Sequence, residues 1–239
     1  MNSRPELKLD FCSVQAARYA VEHWHYSKSL PMPPLVRVGI WEAGKFIGVA
    51  LFSRGASSHL FAVYGLTHTE GAELTRVAMD KHVTSVSRCV AIAIRMLRKH
   101  DPGLRLLASF ADPRERHVGG IYQAGGWIYT GETHPEKAYL APDGKLWHNR
   151  MVSPQGVRRS FKQPHRVWRP DQCRIISIPG KHRYLLPLDD AMRAQIAPLA
   201  KPYPKKCPVS IADDATTAPG GGTRFNSDDR APTSRNETC

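Results

Sequence analysis

The stretch EHWHYSKSLP, residues 22–31, gathers two histidines, a tryptophan, a tyrosine and two serines between a helical segment and a Pro-rich turn. Trp24 and Tyr26 offer faces on which a flat substrate can stack. His23 and His25 offer proton acceptors or metal ligands, and Ser27 offers a hydroxyl. The same residues also suit a helix end with one packed Trp and solvated histidines. A cluster of titratable and aromatic groups at a loop is nevertheless where sites form. Two residues apart in an extended stretch, His23 and His25 point opposite ways, so only one is expected to enter a site.

Further groups lie downstream. Asp112 follows the apolar run 104–110 and precedes Pro113. A carboxylate at the end of a central strand faces a site or caps the next helix, and both roles suit it. Ser109 shares that strand and could share its face. Arg76 interrupts an otherwise apolar strand, and a buried Arg needs a partner such as Glu73 or an anionic substrate. Cys12, near a helix start, reads as a nucleophile or, more simply, as a small buried residue.

The elements that would position these groups follow from periodicity. Residues 12–23 carry apolar positions at helical spacing with Ser13 as N-cap. Residues 35–41 and 45–53 predict a hairpin, and 59–64 and 73–79 predict short strands. Residues 84–99 predict the best helix, with Val86, Val90, Ala93, Ile94 and Leu97 on one face and Thr84 or Ser85 as cap. A strand at 104–110, a helix at 115–124 ended by Gly125-Gly126 and a strand at 127–131 follow. Residues 137–140 and 146–149 predict a hairpin around PDGK, and 174–178 and 182–188 a second one around Pro179-Gly180. Strands before and after a central helix make this an α+β protein with a mixed sheet.

Charge points to a partner. The 239 residues carry a net charge of +13. Between Lys145 and Lys206, 14 Lys/Arg face three Asp, a net of +11. Arg158, Arg159, Lys162, Arg166, Arg169, Lys181 and Arg183, interleaved with Trp168 and other aromatics, can neutralise phosphates and stack bases, so duplex DNA is the expected partner. No apolar run reaches the length of a membrane span, and the five cysteines form no CxxC pair, which fits a reducing cytoplasm. The folded part is expected as one domain over 1–203, its basic portion about 145–203. Residues 204–239 lack large apolar anchors and read as a disordered tail.

The run ELTRVAMD, long helix, LRLLASFADP, then IYQAGGWIYTG resembles the acyltransferase fold of the GNAT superfamily over roughly residues 35–131. A closer resemblance is to the Mom family of phage DNA-modification proteins, carried by HWHYS, ELTRVAMD, ASFADP, GGIYQAGGWIYTG and GKHRYLLPL across residues 23–188. The resemblance implies a GNAT-like mixed central sheet flanked by helices, with a basic C-terminal extension. It implies transfer of a carbamoylmethyl group to the exocyclic N6 of adenine in DNA, which shields phage DNA from host restriction enzymes.

On that reading His25, Asp112 and Tyr122 form the catalytic core, with His23, Tyr26, Ser27 and Ser109 around them. Tyr122 is the residue a GNAT protein would use as an acid, and otherwise a core aromatic. Acetyl-CoA or a related donor is the implied cofactor, with Arg76, Lys81, Thr84 and Ser85 to hold it. Most GNAT proteins bind the donor's pyrophosphate on a Gly-rich turn. Here the turn is DKHVTS, residues 80–85, without glycine, so its side chains and the free N–H groups of the helix start would take that role. A metal, iron by the chemistry of His and Tyr ligands, would rest on His23, His25 and Tyr122, although no HxxxH or HExxH spacing supports it. The alternatives are a non-catalytic DNA-binding protein on the same core and an acetyltransferase of another substrate.

Overall fold

The computed structural model describes residues 5–33, 35–55, 57, 59–160 and 163–205. Lys162 and nearly all of the expected tail therefore lie outside the described residues. Where the sequence suggests one body over 1–203, internal contacts divide the chain into two compact units. One contains residues up to Thr133 together with the stretch from Lys181, and the other is His134–Gly180.

The first unit is built on a seven-stranded sheet. Its elements are β1 (Leu7–Phe11), α1 (Val14–Trp24), β2 (Leu35–Glu42), β3 (Lys45–Ser53), β4 (Gly71–Met79), α2 (Val86–His100), β5 (Leu106–Ala111), α3 (Gly120–Ala124) and β6 (Ile128–Glu132). The second unit supplies β7 (Glu136–Leu140), β8 (Leu146–His148), β9 (Val157–Ser160), β10 (Gln163–Arg166) and β11 (Arg174–Ile178). The chain then returns to the first unit as β12 (His182–Pro187) and α4 (Asp190–Ile196). The sheet order is β1-β2-β3-β4-β5-β12-β6, and all pairs are antiparallel except β4 with β5. This is the expected α+β architecture, a mixed sheet flanked by helices.

Alternation along β3 explains the layers. Val49 and Leu51 face Ala17, Ala20 and Val21 of α1, whereas Ala50 and Phe52 face Val90, Ala93, Ile94 and Leu97 of α2. A strand buried on both faces needs such a continuous apolar run. Each of these larger side chains contributes about 1.5–3 kcal/mol by leaving water. Ser13 starts α1 as expected, its hydroxyl accepting from the Ala16 N–H at 3.1 Å.

Several expectations fail for identifiable reasons. Residues 59–64 form no strand but a turn ending in a 3-10 segment, Ala62–Tyr64. Phe61 and Tyr64 are buried three residues apart, a helical spacing that alternation in HLFAVY disguises. The expected helix at 115–124 shrinks to α3, because Arg116 and Gly119 take positive φ (54° and 74°). Residues 174–178 and 182–188 do not pair. β11 joins β7 and β8 in a three-stranded sheet, while β12, with Tyr184 and Leu185 fully buried, inserts between β5 and β6. β1 and the β9–β10 hairpin were not legible, since LKLDF lies half exposed on an edge and VRRS and QPHR carry charge rather than apolar alternation.

Candidate active site

The parallel pair β4–β5 holds through only three rungs, Gly71↔Leu106, Ala72↔Leu107 and Glu73↔Ala108. Beyond them β4 stays with β3, β5 stays with β12, and the sheet splays. Ser109 marks the fork. Fully buried, its hydroxyl donates to the Leu74 carbonyl at 2.8 Å, so it clips the two strands together and does not line the gap. The β3–β4 register also shifts between Leu51 and Phe52, leaving Thr75 as an extra residue on β4. A bulge re-aims side chains, and Thr75, Arg76 and Val77 all line the opening.

The opening is a cleft of about 650 Å³. One wall is the turn after α1, with Trp24, His25 and Tyr26; the other is the loop into α3, with Arg116, His117, Gly119 and Tyr122. Gly119 is required there: its φ is 74°, and a Cβ would come within 2.3 Å of the Tyr184 ring.

His25 and His23 part company as expected. His23 sits on the exposed side of α1, its Nδ1 bonded to the Tyr19 carbonyl at 2.8 Å and its ring stacked on Tyr19. His25, the C-cap of α1, enters the cleft. The Ser27 backbone N–H donates to His25 Nδ1 at 3.1 Å, and Ser27 Oγ lies 2.8 Å from the same nitrogen. Arg76 Nε in turn donates to Ser27 Oγ at 3.0 Å, and its Nη1 to the Thr75 carbonyl at 2.7 Å. Burial, then the positive charge of Arg76 and the neighbouring His117 and Lys28, push the His25 pKa down to about 3. Arg76 forms no ion pair among the described residues, and it lines the cleft.

Tyr26 stacks on His25 with centroids 4.3 Å apart and meets His117 edge-on at 5.4 Å. Burial raises its phenol above the usual range, and the carboxylates of Asp112 and Glu115 add to that. Tyr122 packs among Trp127 and Tyr184, so the core reading of its ring holds, while the side chain also lines the cleft. Its burial pushes the phenol up to about 12, against the opposing effect of the Ser109 hydroxyl.

Asp112 takes the structural role. It caps the Pro113–Glu115 turn, and its carboxylate is bound bidentately by Arg114, Oδ1 to Nε at 3.1 Å and Oδ2 to Nη2 at 2.8 Å, with Lys181 at 3.9 Å. Phe110 and Ala111 of the same strand line the cleft; Asp112 does not. Cys12 is half-buried and its thiol pKa is raised by burial, which suits a packing residue.

The turn 80–85 departs from expectation. Two of its amides are taken: Glu42, at the end of β2, accepts from the Val83 N–H through Oε2 and from the Thr84 N–H through Oε1, both at 2.8 Å. Glu42 and Thr84 are buried, Lys81 is exposed, and Ser85 is the α2 N-cap without a side-chain cap bond. A carboxylate of the protein thus occupies the Val83 and Thr84 amides, so these two cannot be offered to a donor's pyrophosphate. Nor does the expected metal set assemble, because His23 turns onto Tyr19. Among the described residues no group of three or more His, Cys, Asp or Glu gathers as for a metal ion.

The basic residues fall into two groups. Arg158 and Arg159 on β9 and Arg166 on β10 are exposed, and none forms an ion pair among the described residues. Trp168 is half-buried, and Arg169 is bound by Asp171 at 2.6 Å. Lys181 and Arg183 belong instead to the sheet unit, and Arg183 Nε donates to Thr130 Oγ1 at 2.8 Å. No described helix is long and apolar enough to cross a membrane. Sequence reasoning missed His117 and Glu42: the first sits in an irregular loop, the second at a hairpin turn, and neither carries a spacing signal.

Comparison with known proteins places this arrangement. The Mom protein family matches residues 6–205. The methylcarbamoylase mom of Escherichia phage Mu is 23% identical over 207 residues, covering 84% of each chain. Among solved structures, FeeM, an N-acyl amino acid synthase from uncultured soil microbes, superposes with a TM-score of 0.44 at 14% identity, covering 81% of this chain and 97% of that one. A Bacillus subtilis acetyltransferase in complex with CoA gives 0.45 at 11% identity, covering 78% and 100%.

Proposed function

Since the chain belongs to the Mom protein family, we propose that it is a DNA-modifying transferase that places a carbamoylmethyl group on the exocyclic N6 of adenine, shielding phage DNA from host restriction enzymes. The observation that carries this reading is the cleft at the fork of β4 and β5, where Tyr26, His25, Arg76 and Tyr122 meet. Its volume is in the range of small-ligand sites. An adenine paired inside a duplex exposes no attackable N6, so the base must leave the stack and be received by stacking faces and polar groups. Tyr26 and Trp24 supply the faces.

The transferred group joins N6 through its methylene carbon, so N6 must lose a proton. Tyr122, with its pKa near 12, stays protonated at neutral pH and serves as a hydrogen-bond donor rather than a base. Arg76 meets negative charge on the donor. A CoA-linked donor is the class this reading assigns, and to deliver a carbamoylmethyl group it would carry its leaving group on the methylene carbon rather than on a carbonyl. With Val83 and Thr84 held by Glu42, the groups that would meet its phosphates are Lys81, Ser85 and Arg76. Duplex DNA is the partner assigned to Arg158, Arg159 and Arg166.

Mass spectrometry of nucleosides from plasmid DNA, grown with and without the chain, tests the proposal. A new deoxyadenosine heavier by one carbamoylmethyl group is expected. Unaltered nucleosides overturn it, and an acetyl increment would identify a different transfer.

A further inference from the structure

Three histidines line the cleft, and two of them, His25 and His117, contact the Tyr26 ring in different surroundings. A backbone N–H can only donate, so the bond from Ser27 N to His25 Nδ1 makes that nitrogen an acceptor. The ring proton of neutral His25 is then on Nε2. Ser27 Oγ accepts from Arg76 Nε and lies 2.8 Å from the same Nδ1 and 3.4 Å from the Ser29 carbonyl, so with Nδ1 bare the nearer acceptor for its proton is Nδ1. A second proton on Nδ1 would oppose both donors. His25 is thereby fixed as an N–H donor, with Nε2–H as its remaining polar group and no acceptor for it among the described residues.

His117 is the reverse case. Its backbone N–H bonds to the Asp112 carbonyl at 3.2 Å, which anchors the loop. Its ring lines the cleft, lies edge-on to Tyr26, and has no hydrogen-bond partner among the described residues. Both ring nitrogens are available. No other histidine on this wall has that freedom.

We infer that the two histidines divide the proton work. His25, positioned by Ser27 and Arg76, donates a hydrogen bond through Nε2 to an acceptor atom of the substrate, and His117 takes the proton that leaves N6. In the step, a bond forms between adenine N6 and the methylene carbon of an activated carbamoylmethyl donor. The bond from that carbon to its leaving group breaks, the leaving group keeps the electron pair, and the N6 proton passes to His117. The proton step rests on the adenine reading above; the fixed state of His25 does not.

Two measurements on the full chain test this. Long-range ¹H–¹⁵N correlation spectra of histidine-labelled protein should show His25 with a bare Nδ1 and a protonated Nε2 at neutral pH. Ser27→Ala keeps the backbone donor, so Nδ1 should stay bare, whereas Ser27→Pro, which removes that N–H, should mix the tautomers. A protonated Nδ1 in the parent would overturn the lock. In plasmid DNA, His117→Asn and His117→Gln should lower the modified fraction by about 100-fold or more, the usual range for losing a general base, with duplex affinity unchanged. Replacing the exposed His68 by Ala (His68→Ala) should leave it unchanged. Parental yield from both His117 variants would overturn the proton role. If the parent itself yields no modified adenine, the adenine reading and the proton role fall together, and the spectra still decide the state of His25.

Discussion

Glu42 and Thr84, 42 positions apart, are joined by a 2.8 Å bond from the Thr84 amide to Oε1, and the Thr84 hydroxyl is the chief cause of the depressed Glu42 pKa. With Oε2 on Val83, one carboxylate holds the entry to α2. Removing the acceptor of the buried Thr84 N–H costs about 1–3 kcal/mol, while the Val83 N–H is part-buried and can turn to water. Glu42→Ala is therefore expected to lower unfolding free energy by about 1–3 kcal/mol, and Glu42→Gln, which keeps one acceptor, by roughly half that. Urea titration gives both values, and a loss under about 0.5 kcal/mol for Glu42→Ala would contradict the assignment.

Asp112 and Tyr122 should separate stability from chemistry. Asp112→Asn loses the charge-assisted pair with Arg114, and about 1–3 kcal/mol of stability goes with it. Modification per folded molecule should stay within a few-fold of the parent. Tyr122→Phe keeps the packed ring and removes the hydroxyl beside Ser109, so modification should fall at least tenfold with little change in melting temperature. Parallel denaturation and nucleoside analysis distinguish the two.

His25 should give the fold a pH dependence of known sign. Unfolded, it takes a proton near its ordinary value of 6.5, and folded only near 3, burial being the main cause. Between those values the unfolded chain binds the extra proton. Its contribution is thus complete above about pH 6.5 and declines as pH falls towards 3, with a slope of up to about 1.4 kcal/mol per unit. His25→Asn keeps an acceptor for Ser27 without a titrating ring, and its stability should decline less steeply from pH 6.5 to 4. Identical slopes would contradict a neutral His25.

Binding of duplex DNA should weaken steeply with salt. If about six phosphates are contacted, the slope of log K on log salt is about −5. Replacing Arg158, Arg159 and Arg166 together by Ala should flatten it by roughly 2–3, at about 0.9 per phosphate contact. Fluorescence anisotropy at several salt concentrations measures this; an unchanged slope would place the contacts elsewhere.

Much of the first unit was legible because its elements are amphipathic or continuously apolar. KFIGVALFS appears as β3 with the expected bounds, and the α2 face was read residue by residue. In the cleft, His25, Tyr26, Arg76 and Tyr122 were found from residue type and motif. Three things were not legible. The fates of Asp112 and Ser109 depended on tertiary partners, Arg114 and the Leu74 carbonyl, that no spacing announces. His117 sits where two left-handed residues break the chain, so no periodic pattern points to it. β12 looked like half of a hairpin because local turn residues say nothing about a partner 77 positions away, as Leu185 and its neighbour in register Ala108 show.

That insertion of β12 also sets an order of assembly. β6 and the open side of β5 both pair with a strand that follows β6 by roughly fifty residues. At about 5–20 residues per second, the ribosome needs roughly 3–10 s to make that stretch. Through this interval the nascent chain shows Leu106–Ala111 as a bare apolar edge, the form of backbone that recruits other strands or a chaperone. Tyr184, which Gly119 must accommodate, is also still missing, so the wall carrying His117 cannot set. The cleft is completed by one of the last parts of the folded chain to be synthesised.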